Sequence, residues 1–371
     1  MHFIAAHEQL NSLMQITQKT ISQRSPMPIL SCVHFECKNN YLFLSSTDLE
    51  YGIRCSMPIT SIVDGSAAIP AKYLTGIFAK LPDIDIHIKG NIANNTTTLI
   101  YGDSEIVLNG YPAEEFPLFP SFPEEPSFAV QQGQFKNLIK KVIFAVSSED
   151  QRPIFTGINI LVSPDGVITM LATDIRRLAY AKDKLINPPK EPINIIVPSK
   201  AMQELYKILD NTEDTFNIYI ADNKVFFVMD NICLMSRLIA GTFPDYKLII
   251  PEKYVCETKA SVNSLLEAAE RISMLVDSKR NVFSISLKPN NMVIFFFTET
   301  GRIREEVSAD LQGEPIDIGY NVRFFIDALK SIDDEEVLIK ISGSNSQSLI
   351  MAPGEDNYFN VLVPATFQTS V

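Results

Sequence analysis

The sequence predicts an α+β protein made of three copies of one domain, each with two helices and about eight strands. Two observations lead there. One phrase occurs three times: Thr47-Asp48 in "LSSTDLEYGIR", Thr173-Asp174 in "MLATDIRRLAY" 126 positions later, and Thr298-Glu299 in "FFFTETGRIRE" after 125 more. Around each copy, segments of helical and strand period then recur in the same order.

Each copy begins with a helix-period segment. "HEQLNSLMQITQKTISQ" puts Leu10, Leu13, Met14 and Thr17 on one face. "GQFKNLIKKVIFAVS" does so with Phe135, Leu138, Ile139 and Val142, and "SVNSLLEAAERISML" with Val262, Leu265, Leu266 and Ala269. Next come "MPILSCVHFE", "RPIFTGINIL" and the degraded "RNVFSISLKP", each leading through two strands to the Thr-Asp element. A second helix follows, opened by "IPAKYLTGIFAKL", "VPSKAMQELYKIL" or "IGYNVRFFIDALKSI". Pro70 and Pro198 suit the first two starts because the first turn lacks partners for its N–H groups anyway. Strands then close on "EEFPLFP", "GTFPDYKLIIP" or "FNVLVPATF", with Phe116-Pro117 and Phe243-Pro244 again 127 apart.

The predicted helices cover 7–24, 71–80, 134–147, 199–210, 261–276 and 321–331, and the domains cover 1–123, 124–252 and 253–371. Joints rich in proline and acid fall at 120–128 and 249–257. Agreement at five landmarks in order outweighs a chance sharing of dipeptides between unrelated domains.

Composition agrees with several packed cores, since 371 residues exceed one ordinary domain and 46% are hydrophobic. "MHFIAAHEQL" has no basic segment ahead of a long apolar one, and runs such as "VIFFF" are too short for a membrane helix. Cysteines 32, 37, 55, 233 and 256 are odd in number and lack CxxC spacing. They read as buried thiols in a reducing compartment, which places the chain in the cytoplasm.

A net charge of −12 argues against simple nucleic-acid binding, but the distribution points the other way. The six predicted helices hold 12 of the 32 Lys and Arg but 6 of the 44 Asp and Glu, a net of +6. The remainder nets −18. Basic helices on an acidic scaffold suit an anionic partner facing the helices, although lysines also serve solubility. The chain lacks base-reading motifs and tryptophan, so phosphate contact would be independent of sequence.

Geometry adds a size. Six helices about 10 Å across, set side by side in a circle, leave a hole of about 9 Å; twelve leave about 28 Å. A duplex needs about 20 Å, so two chains would encircle it and one would not.

Catalysis finds little support. His2, His7, His34 and His87 all fall in the first repeat, away from a nucleophile and acid, and no phosphate loop or metal-ligand spacing is present. Asp48 and Asp174 follow threonine at matched positions, which fits turn hydrogen bonding. The expectation is a non-enzyme without cofactor or metal.

"STDLE", "PAEEFPLFP", "RPIFTGI", "LATDIRRLA", "IVPSKAMQEL", "SRLIAGTFPDYKLIIP" and "DIGYNVRFFIDAL" resemble segments of the bacterial DNA polymerase III β subunit family, the sliding clamps. The resemblance spans essentially the whole chain. It implies the DNA clamp fold and a head-to-tail homodimeric ring of six domains around duplex DNA. It also implies opening of that ring by an ATP-driven clamp loader. Partners would be the polymerase III catalytic subunit and other polymerases or repair proteins that carry a short clamp-binding peptide.

Carried over by motif, the peptide pocket would use Phe155, Thr173, Arg177, Leu178, Pro244, Ile249, Val361, Leu362, Val363 and Pro364. For Leu362, and after it Ile249, an ordinary core position is the preferred reading. The resemblance makes Arg24, Lys72 and Lys200 DNA-facing cations, to which the helix charge count adds Lys136 and Lys140; it sets the dimer contact at Ile106 and Leu108 against Met274 and Leu275. Departures fall on the pocket rim. Ile175 and Arg176 replace a frequent Gly-His, Leu248 and Thr366 replace frequent arginines, and "QTSV" extends past Phe367. The alternative is a repeat scaffold that binds only proteins; it would share the pocket but not the basic helices.

Overall fold

The computed structural model describes residues 1–21, 27–149, 151–277 and 281–367. Among these, six helices stand close to their predicted places. They are α1 His7–Thr17, α2 Ala71–Phe78, α3 Gln132–Val142, α4 Ser199–Ile208, α5 Val262–Ser273 and α6 Val322–Lys330.

The predicted helix 7–24 is too long. α1 ends at Thr17, passes through a 3-10 turn at Gln18–Thr20 and becomes extended at Ile21. Thr17 Oγ1 bonds back to the Leu13 carbonyl at 2.7 Å, and the β-branched residues Ile16, Thr17, Thr20 and Ile21 weaken continuation of the helix. α1 and α3 bury the faces predicted for them, whereas α5 buries Val262, Leu265, Ala268, Ala269 and Ile272 and leaves Leu266 half-buried. Asn321 caps α6 by accepting from the N–H groups of Arg323 and Phe324 at 3.0 and 3.2 Å.

The described strands number nine, eight and nine in the three repeats and form four sheets. The chain folds as two compact units: residues 1–133 with 200–238, and 134–199 with 239–371. Edge pairing explains how three repeats give two units. In the first, Ile232–Arg237 of the second repeat pairs antiparallel with Tyr51–Pro58 of the first, Leu234 opposite Ile53, and completes an eight-stranded sheet. In the second, Arg177–Lys184 pairs with Tyr358–Leu362 of the third repeat, Leu178 opposite Val361, within a nine-stranded sheet. Each junction supplies hydrogen-bond partners to two strands that would otherwise be open edges.

Cys32, Cys37, Cys55 and Cys256 are buried and Cys233 half-buried, all as free thiols. Burial pushes the Cys32 and Cys55 thiols up to about 11 and Cys233 up to about 12, so they stay protonated near neutral pH. No described helix is long and apolar enough to cross a membrane.

Candidate functional site

The repeated Thr-Asp phrase is a turn that closes on itself. Thr173 Oγ1 donates to the Arg177 carbonyl at 2.6 Å and accepts from the Ile175 N–H at 3.1 Å. Asp174 Oδ1 accepts from the N–H groups of Arg176 and Arg177, both at 3.0 Å. The first repeat copies this: Thr47 bonds Tyr51 and Leu49, and Asp48 accepts from Glu50 and Tyr51. Threonine followed by aspartate thus satisfies the backbone of a tight strand connection, a local reason for its recurrence.

The residue after the aspartate has a left-handed backbone, with φ of 77° at Leu49 and 74° at Ile175. A β-branched side chain is strained there, by about 1–3 kcal/mol, while glycine is free of that strain. Ile175→Gly is therefore expected to stabilise the chain by about 0.5–1 kcal/mol, net of the extra chain entropy of glycine. A raised urea midpoint checks this; a lowered one would assign Ile175 a packing role despite its 57% exposure.

Behind this turn lies an apolar cluster formed by the second and third repeats. Phe155, Leu171, Leu178, Tyr180, Ile196, Phe243, Leu349, Met351 and Val361 make its buried part, with Tyr246, Ile249 and Phe359 packed against it. Phe155 meets Phe243 edge to face at 6.1 Å between centroids, and Tyr180 stacks on Phe359 at 4.5 Å. The turn at Tyr246–Leu248 begins at Asp245, which accepts from the Lys247 N–H, and holds Leu248 outward at 87% exposure.

Of the ten expected pocket residues, Phe155, Leu178 and Val361 lie in the cluster and Ile249 packs on it. Pro244 is exposed beside Phe243, and Val363 and Pro364 follow the pairing strand, where the Val363 N–H reaches the Arg176 carbonyl at 2.9 Å. Leu362 is buried opposite Arg177, next along the strand from Val361.

Thr173 and Arg177 are buried and their polar atoms engaged. Arg177 donates to Asp174 at 3.0 Å, to Asp327 on α6 at 2.6 Å and to the Phe144 carbonyl at 2.5 Å, with its guanidinium 4.4 Å from the Phe324 ring centre. It fastens the turn to the third repeat. Tyr180, Tyr246, Phe243, Leu349, Met351 and Phe359 were missed by sequence reasoning. Only Phe243 carried a signal, the repeated Phe-Pro.

A cavity of about 260 Å³ in the same unit is lined by Glu257, Lys259, Asp310 and Gln312, a polar setting unlike an apolar anchor site. Among the described residues no group of three or more His, Cys, Asp or Glu could hold a metal ion.

The expected DNA-facing cations differ in setting. Lys72 on α2 and Lys200 in the first turn of α4 are exposed, and Lys136 on α3 is half-buried. Lys140 is ion-paired with Asp333 at 2.9 Å, and its neighbour Lys141 with Glu355 at 3.1 Å. Both pairs join α3 to the third repeat, so part of the helix charge counted in the sequence is balanced within the chain. Arg24 lies outside the described residues, as does the "QTSV" segment.

The expected dimer strand, Ser104–Asn109, is an outer strand of the five-stranded sheet. Ile106 and Leu108 are half-buried on it, and Val107, not singled out in the sequence, faces out at 56% exposure. Met274 stands 81% exposed after α5, with Leu275 half-buried beside it.

Three family models match in order: the DNA polymerase III β subunit N-terminal domain over residues 1–120, its central domain over 129–245 and its C-terminal domain over 247–366. The beta sliding clamp of Staphylococcus aureus is 30% identical over 375 residues, covering 98% of this chain and 99% of the relative. That of Staphylococcus epidermidis is 31% identical over 378 residues with the same coverage. Among solved structures, the DNA polymerase sliding clamp of Bacillus subtilis superposes with a TM-score of 0.95 at 29% identity, over 99% of this chain and 100% of that one. The DNA polymerase III β subunit of Pseudomonas aeruginosa gives 0.93 at 26% identity over the same shares.

Proposed function

The chain belongs to the DNA polymerase III β subunit family, and from that premise we propose that it is a DNA sliding clamp, a non-catalytic processivity factor of replication. The reading rests most directly on the family likeness, which runs through all three domains in order and over nearly the full length of each relative. We further propose that two chains close into a ring through Ile106, Val107 and Leu108 of one and Met274 and Leu275 of the other. Their helices line a hole of about 28 Å, wide enough for a duplex. Lys72, Lys200, Lys136 and Arg24 then meet phosphates without reading sequence, and the acidic remainder of the chain repels DNA from the outside.

The apolar cluster around Phe155, Leu178, Phe243 and Val361, with Pro244 and Leu248 at its edge, suits a short peptide anchored by Leu or Phe side chains. Through it the clamp tethers the polymerase III catalytic subunit and other polymerases or repair proteins, after a clamp loader has opened the ring. The work is done in the cytoplasm, on the chromosome.

Charge reversal separates the clamp from a protein-only scaffold. In the triple variant Arg24→Glu, Lys72→Glu, Lys200→Glu, retention on a nicked circle after loading is expected to fall. The salt slope should also drop by about 1 for every phosphate that is no longer neutralised. Unchanged loading and retention would favour the scaffold.

A further inference from the structure

The three repeats share one device that the third adapts. Two residues before the residue that precedes the second helix of each repeat stand Ala68, Ile196 and Gly319. Each carbonyl accepts from the N–H of a residue just past the last strand of its own repeat: Tyr111, Ile239 and Ala365, all at 2.9 Å. An aromatic ring then packs beside the accepting residue. Phe116 shares a buried cluster with Ala68, and Phe243 shares one with Ile196. In the third repeat the ring is Phe367, which sits against Gly319 itself.

Spacing makes the third case different. Phe116 follows Tyr111 by five residues and Phe243 follows Ile239 by four, leaving room for a loop before the ring. Phe367 follows Ala365 by two, so its ring must lie directly on the strand backbone. A Cβ on Gly319 would collide with the Ala365 carbonyl oxygen and stand 2.5 Å from Phe367 Cδ1. Gly319 is outside the left-handed region that would itself call for glycine. The missing side chain serves the close approach.

The strap so formed continues from Val361, a member of the apolar cluster. Its Val363 N–H is tied to the Arg176 carbonyl on the repeated turn, and its Ala365 N–H to Gly319. Val363 and Pro364, two of the expected peptide contacts, lie between or at those ties. We propose that Phe367, seated on Gly319, is a positioning residue for partner-peptide binding: it locks the strap so that Val363 and Pro364 are preset at the pocket edge. This rests on the peptide-pocket reading above. With the ring removed, the strap samples other positions, and the affinity falls by the fraction of time that the edge is out of place.

The test uses the full chain and a fluorescein-labelled peptide ending in Leu-Phe, read by anisotropy, with thermal midpoints measured alongside. Phe367→Ala and Gly319→Ala are each expected to weaken binding about tenfold, as when the competent state drops to about a tenth. The thermal midpoint should be unchanged in Phe367→Ala and lowered in Gly319→Ala, whose new Cβ displaces the Ala365 carbonyl. The double variant should be no weaker than either single, because both changes release one strap, and Phe367→Tyr should bind like the parent. Unchanged affinity in Phe367→Ala, or losses that multiply in the double variant, would overturn the strap while leaving the pocket intact. A parent chain that ignores the peptide would overturn the pocket reading and the strap with it.

Discussion

Arg177→Ala is expected to lower the stability of the chain by about 3 kcal/mol. Arg177 is 6% exposed and serves Asp174, Asp327 and the Phe144 carbonyl at once. Removing it leaves two carboxylates facing each other across a space without the cation between them. Breaking a buried ion pair from one side costs about 3–5 kcal/mol; the partial exposure of Asp327, at 25%, puts this case at the low end. Arg177→Lys should recover little, since an ammonium cannot reach three acceptors in a planar fork or stack on Phe324 in the same way. Urea unfolding followed by near-ultraviolet dichroism would register the loss. A midpoint within error of the parent would mean that the turn and α6 hold together without this guanidinium.

Leu108→Asp is expected to turn a dimer into a monomer. Leu108 lies on an outer strand beside Val107, opposite Thr97 of the next strand, with its other side open for a second chain. A carboxylate placed in an apolar contact must be desolvated or neutralised, and a penalty of about 4 kcal/mol raises a dissociation constant about a thousandfold. Sedimentation equilibrium at micromolar concentration should give the mass of one chain for the variant and twice that for the parent. Electron microscopy of the parent should show rings whose hole is about 28 Å. A variant that still sediments as a dimer would remove this strand from the contact, and parent particles without a hole would remove the ring.

Much of the architecture was legible because it is written in local patterns. The helical stripes of α1 and α3 were read to the residue, since a 3.6-residue period needs no knowledge of distant chain. The Thr-Asp turn was legible for a similar reason: all of its hydrogen bonds fall within four residues. The end of α1 was not, because Thr17 can continue a helix or bond back to Leu13, and sequence alone does not weigh the two.

The candidate site was legible in part. Phe155, Leu178 and Val361 fall together in one cluster, having been carried over from separate motifs. Tyr180, Tyr246 and Phe359 were invisible because they lie on strands and turns far apart in the chain, brought together by strand pairing. Arg177 was carried over from its motif as a pocket residue; its three acceptors, two of them far along the chain, were visible only in the structure. The pairing of Lys140, expected to face DNA, with Asp333 was likewise visible only in the structure.

The sequence by itself determined the repeat, the order of helices and strands, the apolar faces and the sign of charge on each element, because these follow from nearest neighbours and short periods. Tertiary structure alone decided which strands join the repeats, which cations are balanced within the chain, and which aromatic rings stand around the pocket. Those depend on strand edges and ion pairs between residues far apart in the chain, and such contacts exist only once the backbone has closed.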